Sequence, residues 1–159
     1  MGAFHAYDIR GIYNVDFDKE VAYKVGYFIP ELLSADKVLV GRDGRVSSPE
    51  IHEWLVKGIT DAGADVYDVG LSTTPMVYFG TAHYGFKASV QITASHNPAE
   101  YNGIKLIVDE GRDAPLETTA RLETLIAELT ELMIQTLVVA DQIFKVLCRE
   151  CHGLISPIC

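Results

Sequence analysis

The most informative chemical feature of this chain is a serine predicted to lie in a loop. Ser95 belongs to the hexapeptide Thr-Ala-Ser-His-Asn-Pro at 93–98, which follows the apolar, β-prone residues 88–92. The Asn-Pro pair and a later Asn-Gly pair favour turns, so Ser95 is expected just after the carboxyl end of a strand. Ligands of α/β folds bind at that end of the strands. With Lys105 ten residues farther along, these residue types suit a nucleophile or a phosphoryl carrier.

Two other interpretations of Ser95 follow from its neighbours. A loop serine commonly serves as a helix N-cap or a turn residue. The adjacent His96 suggests an acyl-transfer pair, but neighbouring side chains diverge in an extended loop, so His96 is a poor general base for Ser95. No Gly-x-Ser-x-Gly elbow surrounds the serine. Acyl transfer is therefore disfavoured, and an N-cap or turn role stays as the alternative to phosphoryl transfer.

Arginines in two glycine-containing segments, both predicted to be loops, could supply a phosphate site. Arg10 precedes Gly11, and Arg42 and Arg45 lie on either side of an Asp-Gly pair. Guanidinium forks match phosphate oxygens, and glycine permits close backbone approach. Each arginine could equally be an ion-paired or solvated surface residue. Lys105, between two apolar residues, could likewise reflect plain alternation on a half-exposed strand.

Charge and cysteine usage exclude several classes of partner. The 159 residues carry 13 Lys and Arg against 22 Asp and Glu, a net charge of −9. An acidic chain is repelled by nucleic acid and anionic membranes, so neither is an expected partner, and a phosphate site must be a local cluster of cations. The most apolar late run, 133–140, is far shorter than the ~20 residues that a membrane span needs. No signal peptide is visible and no cysteine precedes residue 148, so a reducing, cytoplasmic location is expected.

The late cysteines form the one metal-like pattern in the sequence. Cys148, Cys151 and His152 match c-type haem attachment and could also offer three zinc ligands. Haem attachment needs export, for which no signal is visible, and zinc would want a fourth ligand, for which only Cys159 is near. Both roles are therefore disfavoured.

Periodicity along the chain predicts alternating helices and strands. The predicted helices begin near Asp18, Ser48, Thr74 and Pro115, and the predicted strands are residues 37–40, 65–69, 88–92 and 104–108. Pro30 is expected to end or kink the first helix, and Ser48 to be the N-cap of the second. The alternation predicts a three-layer α/β/α domain with a mixed, mainly parallel sheet, whose last two strands could be antiparallel. The domain is expected to cover 1–131, leaving a divergent tail of uncertain structure at 132–159.

Five short motifs follow one another along the chain. They are Tyr7-Asp8-Ile9-Arg10-Gly11, Val40-Gly41-Arg42-Asp43, Gly70-Leu71-Ser72-Thr73-Thr74-Pro75, Thr93-Ala94-Ser95-His96-Asn97-Pro98 and Asn102-Gly103-Ile104-Lys105. In this order and spacing they resemble the N-terminal domain of the α-D-phosphohexomutases, the phosphomannomutase/phosphoglucomutase superfamily. The resemblance covers about residues 4–130, and five motifs in order make it far more specific than any one of them.

The resemblance implies a phosphoserine mechanism. Ser95 would give a phosphoryl group to the free hydroxyl of a hexose phosphate and take the other phosphate back from the bisphosphate intermediate. Hexose 1-phosphate and hexose 6-phosphate would thereby interconvert. Lys105 and His96 resemble the family's general acid/base and phosphate-contacting residues, and Arg10 completes the implied catalytic set. The implied substrate- or phosphate-binding residues are Tyr7, Arg10, Asn97 and Lys105.

The resemblance also implies that much of the enzyme lies elsewhere. Family members have four domains around a central cleft, and Mg²⁺ would bind one oxygen of the Ser95 phosphate, with aspartate ligands from a second domain. No Asp-Gly-Asp-x-Asp pattern occurs in this chain. The chain alone is therefore expected to lack turnover, and the domain face left exposed could drive self-association. A non-catalytic phosphate-binding or assembly module of the same fold is the alternative, and phosphoglucosamine mutase is the alternative within the enzymes.

Overall fold

The structure, a computed structural model, describes residues 3–4 and 8–129. The strands are β1 (Asp8–Ile12), β2 (Lys37–Arg42), β3 (Asp65–Leu71), β4 (Ala88–Ile92), β5 (Tyr101–Val108) and β6 (Arg112–Asp113). The helices are α1 (Lys19–Leu32), α2 (Ser48–Asp61), α3 (Thr74–Tyr84) and α4, whose described part covers 116–129. A short 3-10 turn, Asp109–Gly111, connects β5 to β6.

The strands form one sheet in the order β1-β5-β4-β2-β3, with β6 paired to the end of β5. Strand β2 is parallel to both β3 and β4, whereas β5 is antiparallel to β4, β1 and β6. All the strands except β5 therefore run in one direction. The predicted mixed, mainly parallel sheet is confirmed, as is the antiparallel pairing of β4 and β5.

Helices cover both faces of the sheet and make the three layers that the sequence predicts. Alternate strand residues face a large core shared with α1, α2 and α4. Its fully buried members include Val25 and Ile29 of α1, Ile51, Leu55 and Ile59 of α2, and Val38, Val90 and Ile104 of the sheet. On the opposite face, Leu39 and Ile107 pack with Val77 of α3 and with Phe86. The apolar spacing of α2 thus becomes its buried face.

Two helix boundaries differ from the sequence predictions. Helix α1 continues past Pro30 to Leu32 instead of ending there. Pro30 lies in the last turn, where the missing backbone N–H costs a single hydrogen bond and the helix has little left to lose. Ser48 was predicted to be the N-cap of α2, but Ser47 holds that position and Ser48 is the first helical residue. Buried Ser48 instead donates a 2.6 Å hydrogen bond from Oγ to Oδ1 of Asp43.

The segment around Arg10, predicted to be a loop, is strand β1. Its register places Asp8 opposite Lys105 and Arg10 opposite Gly103 of β5. Strand β5 itself begins at residue 101, earlier than the predicted 104. Both differences arise because β1 and β5 pair with each other, a long-range contact that overrides the weak β-propensity of Asp, Asn and Gly.

The chain divides into two compact units, Met1–Ile126 and Ala127–Cys159, and the residues discussed below belong to the first. Within residues 3–4 and 8–129, no helix has the length and apolar character needed to cross a bilayer. Residues 132–159, with the late cysteines and His152, lie outside the described residues.

Candidate functional site

Ser95 lies in the loop between β4 and β5 and is exposed. Its φ is +55°, in the left-handed region that residues other than glycine rarely adopt. The loop is closed by short contacts. The Ser95 N–H donates to Oγ1 of Thr93 at 2.9 Å, and the Asn97 N–H donates to the Ala94 carbonyl at 3.1 Å. Ser95 precedes β5 and not a helix, so the N-cap interpretation is wrong, whereas the turn interpretation agrees with its place in the loop. Its side chain is exposed to a ligand.

His96 contacts Ser95, contrary to the divergence predicted for neighbouring side chains. His96 Nδ1 lies 3.3 Å from the hydroxyl oxygen of Ser95. The left-handed backbone at Ser95 removes the alternation of an extended chain and brings the two side chains to one side. No carboxylate orients this imidazole within residues 3–4 and 8–129, so the pair does not form a Ser-His-Asp triad there.

Arg10 connects β1 to the serine loop. Its Nη1 lies 3.4 Å from Oδ1 of Asn97, and its Nη2 forms an ion pair with the Asp8 carboxylate. The register also places Arg10 on the same sheet face as Lys105, because their strand positions share the parity opposite to buried Ile104. Arg10 and Lys105 are therefore on one face of the sheet. Tyr7, the remaining predicted phosphate contact, lies outside the described residues.

Lys105 is held by a small polar cluster that the sequence analysis missed. Its Nζ lies 2.9 Å from Oδ1 of Asp113 on β6, and the same carboxylate accepts a hydrogen bond from the Tyr78 hydroxyl of α3. Burial by itself would lower the pKa of Lys105, but the hydrogen bond and charge of Asp113, with a contribution from Tyr78, raise it above 10.5. Burial would raise the pKa of Asp113, but the bonds from Tyr78 and Lys105 lower it below 3.8. Lys105 is therefore a protonated cation near neutral pH.

Replacing Asp113 with asparagine is expected to lower the pKa of Lys105, because desolvation would then lack its compensating carboxylate. In the parent chain, the Lys105–Asp113 ion pair should stabilise the fold at pH values between the two pKa values. Its contribution is lost as pH falls through the depressed pKa of Asp113 or rises through the elevated pKa of Lys105. An NMR titration of the Lys105 side chain measures the shift. Asp109→Asn, a charge loss at a neighbouring exposed position, is the control, and an equal effect of both variants would contradict the assignment.

Arg45 has a different role from the phosphate fork that its type suggested. Its guanidinium nitrogens contact four backbone carbonyl oxygens of the serine loop and the carboxylate of Asp43. The side chain is only 14% exposed. By contrast, Arg42 makes no side-chain hydrogen bond or ion pair with any described residue. Arg45 is therefore committed to the protein, whereas Arg42 has no such partner among the described residues.

An open pocket of roughly 530 Å³ lies beside the serine. Residues 43–46 line one wall, and Ser95, Asn97 and Ala99 line the other. The pocket lies at the carboxyl ends of β2 and β4, where ligands bind in α/β sheets. Within residues 3–4 and 8–129, no group of three or more His, Cys, Asp or Glu side chains could hold a metal ion. The described residues alone therefore do not make a complete Mg²⁺ site.

Comparisons with known proteins agree with this arrangement of motifs. Residues 1–133 match the family described as phosphoglucomutase/phosphomannomutase, alpha/beta/alpha domain I. A phosphomannomutase of Klebsiella pneumoniae is 40% identical over 121 residues, which cover 76% of this chain and 77% of that protein. A phosphomannomutase of Escherichia coli shows the same identity, but the match covers only 26% of its length.

Solved structures show the same relation. A phosphoglucomutase/phosphomannomutase family protein from Burkholderia thailandensis superposes with a TM-score of 0.71 and 37% identity, over 80% of this chain and 30% of that one. This chain thus spans about a third or less of the Escherichia coli and Burkholderia proteins. By the extent of the family match and the shared fold, the chain belongs to the phosphoglucomutase/phosphomannomutase family and forms its α/β/α domain I.

Proposed function

We propose that this chain supplies the phosphoryl-carrying serine of a hexose-phosphate mutase, with Ser95 as the carrier. The observation that carries the proposal is the exposed, left-handed Ser95 in a loop held by charged side chains from two other strand regions. Family membership supports the reaction class, because the relatives are phosphomannomutases or phosphomannomutase/phosphoglucomutases. The whole reaction needs the rest of such an enzyme, of which this chain spans only part.

We assign the transfer step to Ser95 and His96 of the loop and to Lys105 of β5. The Ser95 oxygen attacks a phosphorus of a hexose bisphosphate, so that a serine P–O bond forms and the P–O bond to the sugar breaks. His96 Nδ1, 3.3 Å from Oγ, accepts the serine proton, and protonated Lys105 donates a proton to the departing sugar oxygen. In the opposite half of the cycle, the phosphoserine gives its phosphoryl group to the free hydroxyl of a hexose monophosphate that carries its phosphate at the other position, so that the bisphosphate forms again and the serine hydroxyl is regenerated.

Cations near the loop would offset the charge of the carrier. A phosphoserine carries about −1.5 to −2 charge at neutral pH, and phosphoryl transfer depends mainly on charge stabilisation and alignment. Arg10 is already hydrogen-bonded to Asn97 in the loop, and Lys105 is on the same sheet face. Because the chain as a whole is acidic, these local cations have to provide the attraction.

Mg²⁺ would bind a phosphate oxygen of phosphorylated Ser95, and its remaining ligands would lie outside the described residues. Among those residues, no acidic cluster adjoins the loop to complete an octahedral shell. We therefore assign no step of the reaction to groups of this chain acting through the metal.

Phosphoryl uptake by the isolated chain tests the proposal. The chain is incubated with glucose 1,6-bisphosphate, its intact mass is measured, and the modified peptide is mapped. We expect the addition of one phosphoryl group at Ser95. A coupled mutase assay of this chain should show no turnover, because the chain spans only part of the enzymes that it matches. Turnover within a hundredfold of an ordinary enzyme rate of roughly 10 s⁻¹ would contradict the need for the rest of the enzyme. Phosphate binding without uptake would favour the non-catalytic phosphate-binding module.

A further inference from the structure

We infer that Arg45 is the positioning residue of Ser95, holding the serine loop in its strained conformation through its guanidinium fork. The inference deepens the proposed function and rests on it for its catalytic meaning. The evidence for the loop contacts is independent of any reaction.

The contacts of Arg45 cover the whole turn. Nη1 donates to the carbonyl oxygens of Pro98 at 2.6 Å and Tyr101 at 3.0 Å. Nη2 donates to the carbonyl oxygens of Ser95 at 3.0 Å and Asn97 at 2.7 Å. A single side chain thus gathers four carbonyl groups from Ser95 to Tyr101, and one of them belongs to the serine itself.

Arg45 is itself fixed in place from the opposite side. Its Nε lies 3.2 Å from Oδ2 of Asp43, and its own backbone N–H donates to Oδ1 of the same carboxylate at 3.1 Å. Asp43 is held in turn by Ser48 Oγ, which also accepts from Nδ2 of Asn102 at 3.0 Å. Every guanidinium nitrogen therefore has an oxygen partner, and the amino-terminal end of α2 is tied to the start of β5.

Lysine cannot reproduce this arrangement. An ammonium group has three donors around one atom, whereas the guanidinium presents donors on three nitrogens in a rigid plane. The four carbonyl oxygens and the Asp43 carboxylate surround that plane. Charge alone is therefore insufficient, and the shape of the donor group is what the loop requires.

The left-handed conformation of Ser95 explains why the loop needs the hydrogen bonds from Arg45. Ser95 has a left-handed backbone, which disfavours residues with a Cβ and persists only where surrounding contacts enforce it. Because Nη2 of Arg45 donates a hydrogen bond to the Ser95 carbonyl oxygen, Arg45 acts directly on the strained residue. Phosphoryl transfer requires an aligned nucleophile. Arg45 therefore acts through the backbone and not on the reacting atoms.

Amide hydrogen exchange of the 159-residue chain tests the inference. In Arg45→Lys we expect exchange of the amides of residues 94–101 to accelerate at least about tenfold, while the β2 and β4 amides keep their protection. Arg112→Lys is the matched control, at an exposed arginine with one long ion pair to Glu110 and one hydrogen bond to the Asp109 carbonyl. It should change neither the loop exchange nor the protection of β2 and β4. In Arg45→Ala, guanidinium ion well below denaturing concentration should restore loop protection, and ammonium ion should not.

A double-mutant cycle with Ser95→Gly separates positioning from general stability. Glycine tolerates the left-handed backbone, so Arg45→Lys should accelerate loop exchange less in the Ser95→Gly background than in the parent. If Arg45→Lys does not fold, the double variant Arg45→Lys/Ser95→Gly provides the test. Folding of the double variant would support the inference. Failure of the double variant to fold would overturn it.

Two results would overturn the inference directly. One is loop exchange in Arg45→Lys within about twofold of the parent, and the other is an equal effect of Arg45→Lys in both backgrounds. A different result would contradict the proposed function, namely a parent chain that takes up no phosphoryl group although its loop amides are protected from exchange. Where uptake occurs, its rate in Arg45→Lys should fall at least about tenfold.

Discussion

Replacing Ser95 with glycine is expected to abolish phosphoryl uptake while leaving the free energy of unfolding unchanged or slightly higher. Uptake is lost because the attacking oxygen is gone. Stability is kept because Ser95 has a φ of +55°. A left-handed conformation costs a residue with a Cβ about 1–2 kcal/mol, and glycine removes that cost while adding about 0.4–1 kcal/mol of unfolded-state entropy. The net change is therefore about 0 to 1.6 kcal/mol in favour of the folded chain.

Intact mass after incubation with the bisphosphate and urea unfolding measure the two effects. Ser34→Gly is the matched control, because Ser34 also has a positive φ, of 49°, and lies outside the loop. Its phosphoryl uptake should equal that of the parent. Ser95→Ala, which keeps the Cβ, should also fold and take up nothing. Undiminished uptake in Ser95→Gly would remove Ser95 as the carrier.

Replacing Gly58 with alanine is expected to destabilise the chain by about 2 kcal/mol, the size typical of overpacked cores. Helices α1 and α2 cross with their backbones in contact. A Cβ at Gly58 would lie 2.1 Å from the Tyr23 carbonyl oxygen, and one at Gly26 would lie 2.2 Å from the Leu55 carbonyl oxygen. Backbone atoms of a packed helix cannot move aside as a flexible side chain can. The helix propensity gained, about 1 kcal/mol, does not offset the clash.

Urea unfolding of Gly58→Ala against the parent measures this loss, which is large beside a typical total stability of about 5–15 kcal/mol. Gly44→Ala is the control, since the nearest heavy atom to its added Cβ is Leu71 Cδ1 at 3.9 Å. The control should unfold at the parent midpoint. An unchanged midpoint in Gly58→Ala would mean that the two helices can separate without cost. Folded Gly58→Ala should still take up a phosphoryl group, because the crossing is remote from the serine loop.

Local pattern predicted much of the fold. The buried stripe of Ile51, Leu55 and Ile59 follows from helical spacing, and β4 follows from five consecutive residues with high apolar content. The position of Ser95 after β4 follows from the turn-forming residues beside it. These features depend on neighbours within a few residues, so a single sequence contains the necessary information.

Local sequence pattern does not predict strand β1 or the contacts of Arg45 with the serine loop. Residues 8–12 have little β-propensity, and they form a strand because β5 lies beside them. The Lys105–Asp113 pair likewise depends on β6 returning along the end of β5.

Sequence motifs and periodicity are sufficient to predict the family, the order of most helices and strands, and the loop that presents Ser95. Tertiary structure determines whether a given arginine or lysine binds protein groups or faces a ligand. Arg45 and the carbonyl groups it binds are 50 to 56 residues apart in the chain. An arginine beside Asp-Gly can face solvent, phosphate or protein, and only the packing of β2 against β4 brings those carbonyl oxygens to it. The partners of a long polar side chain are set by which backbone groups the fold brings near it, and local sequence does not contain that information.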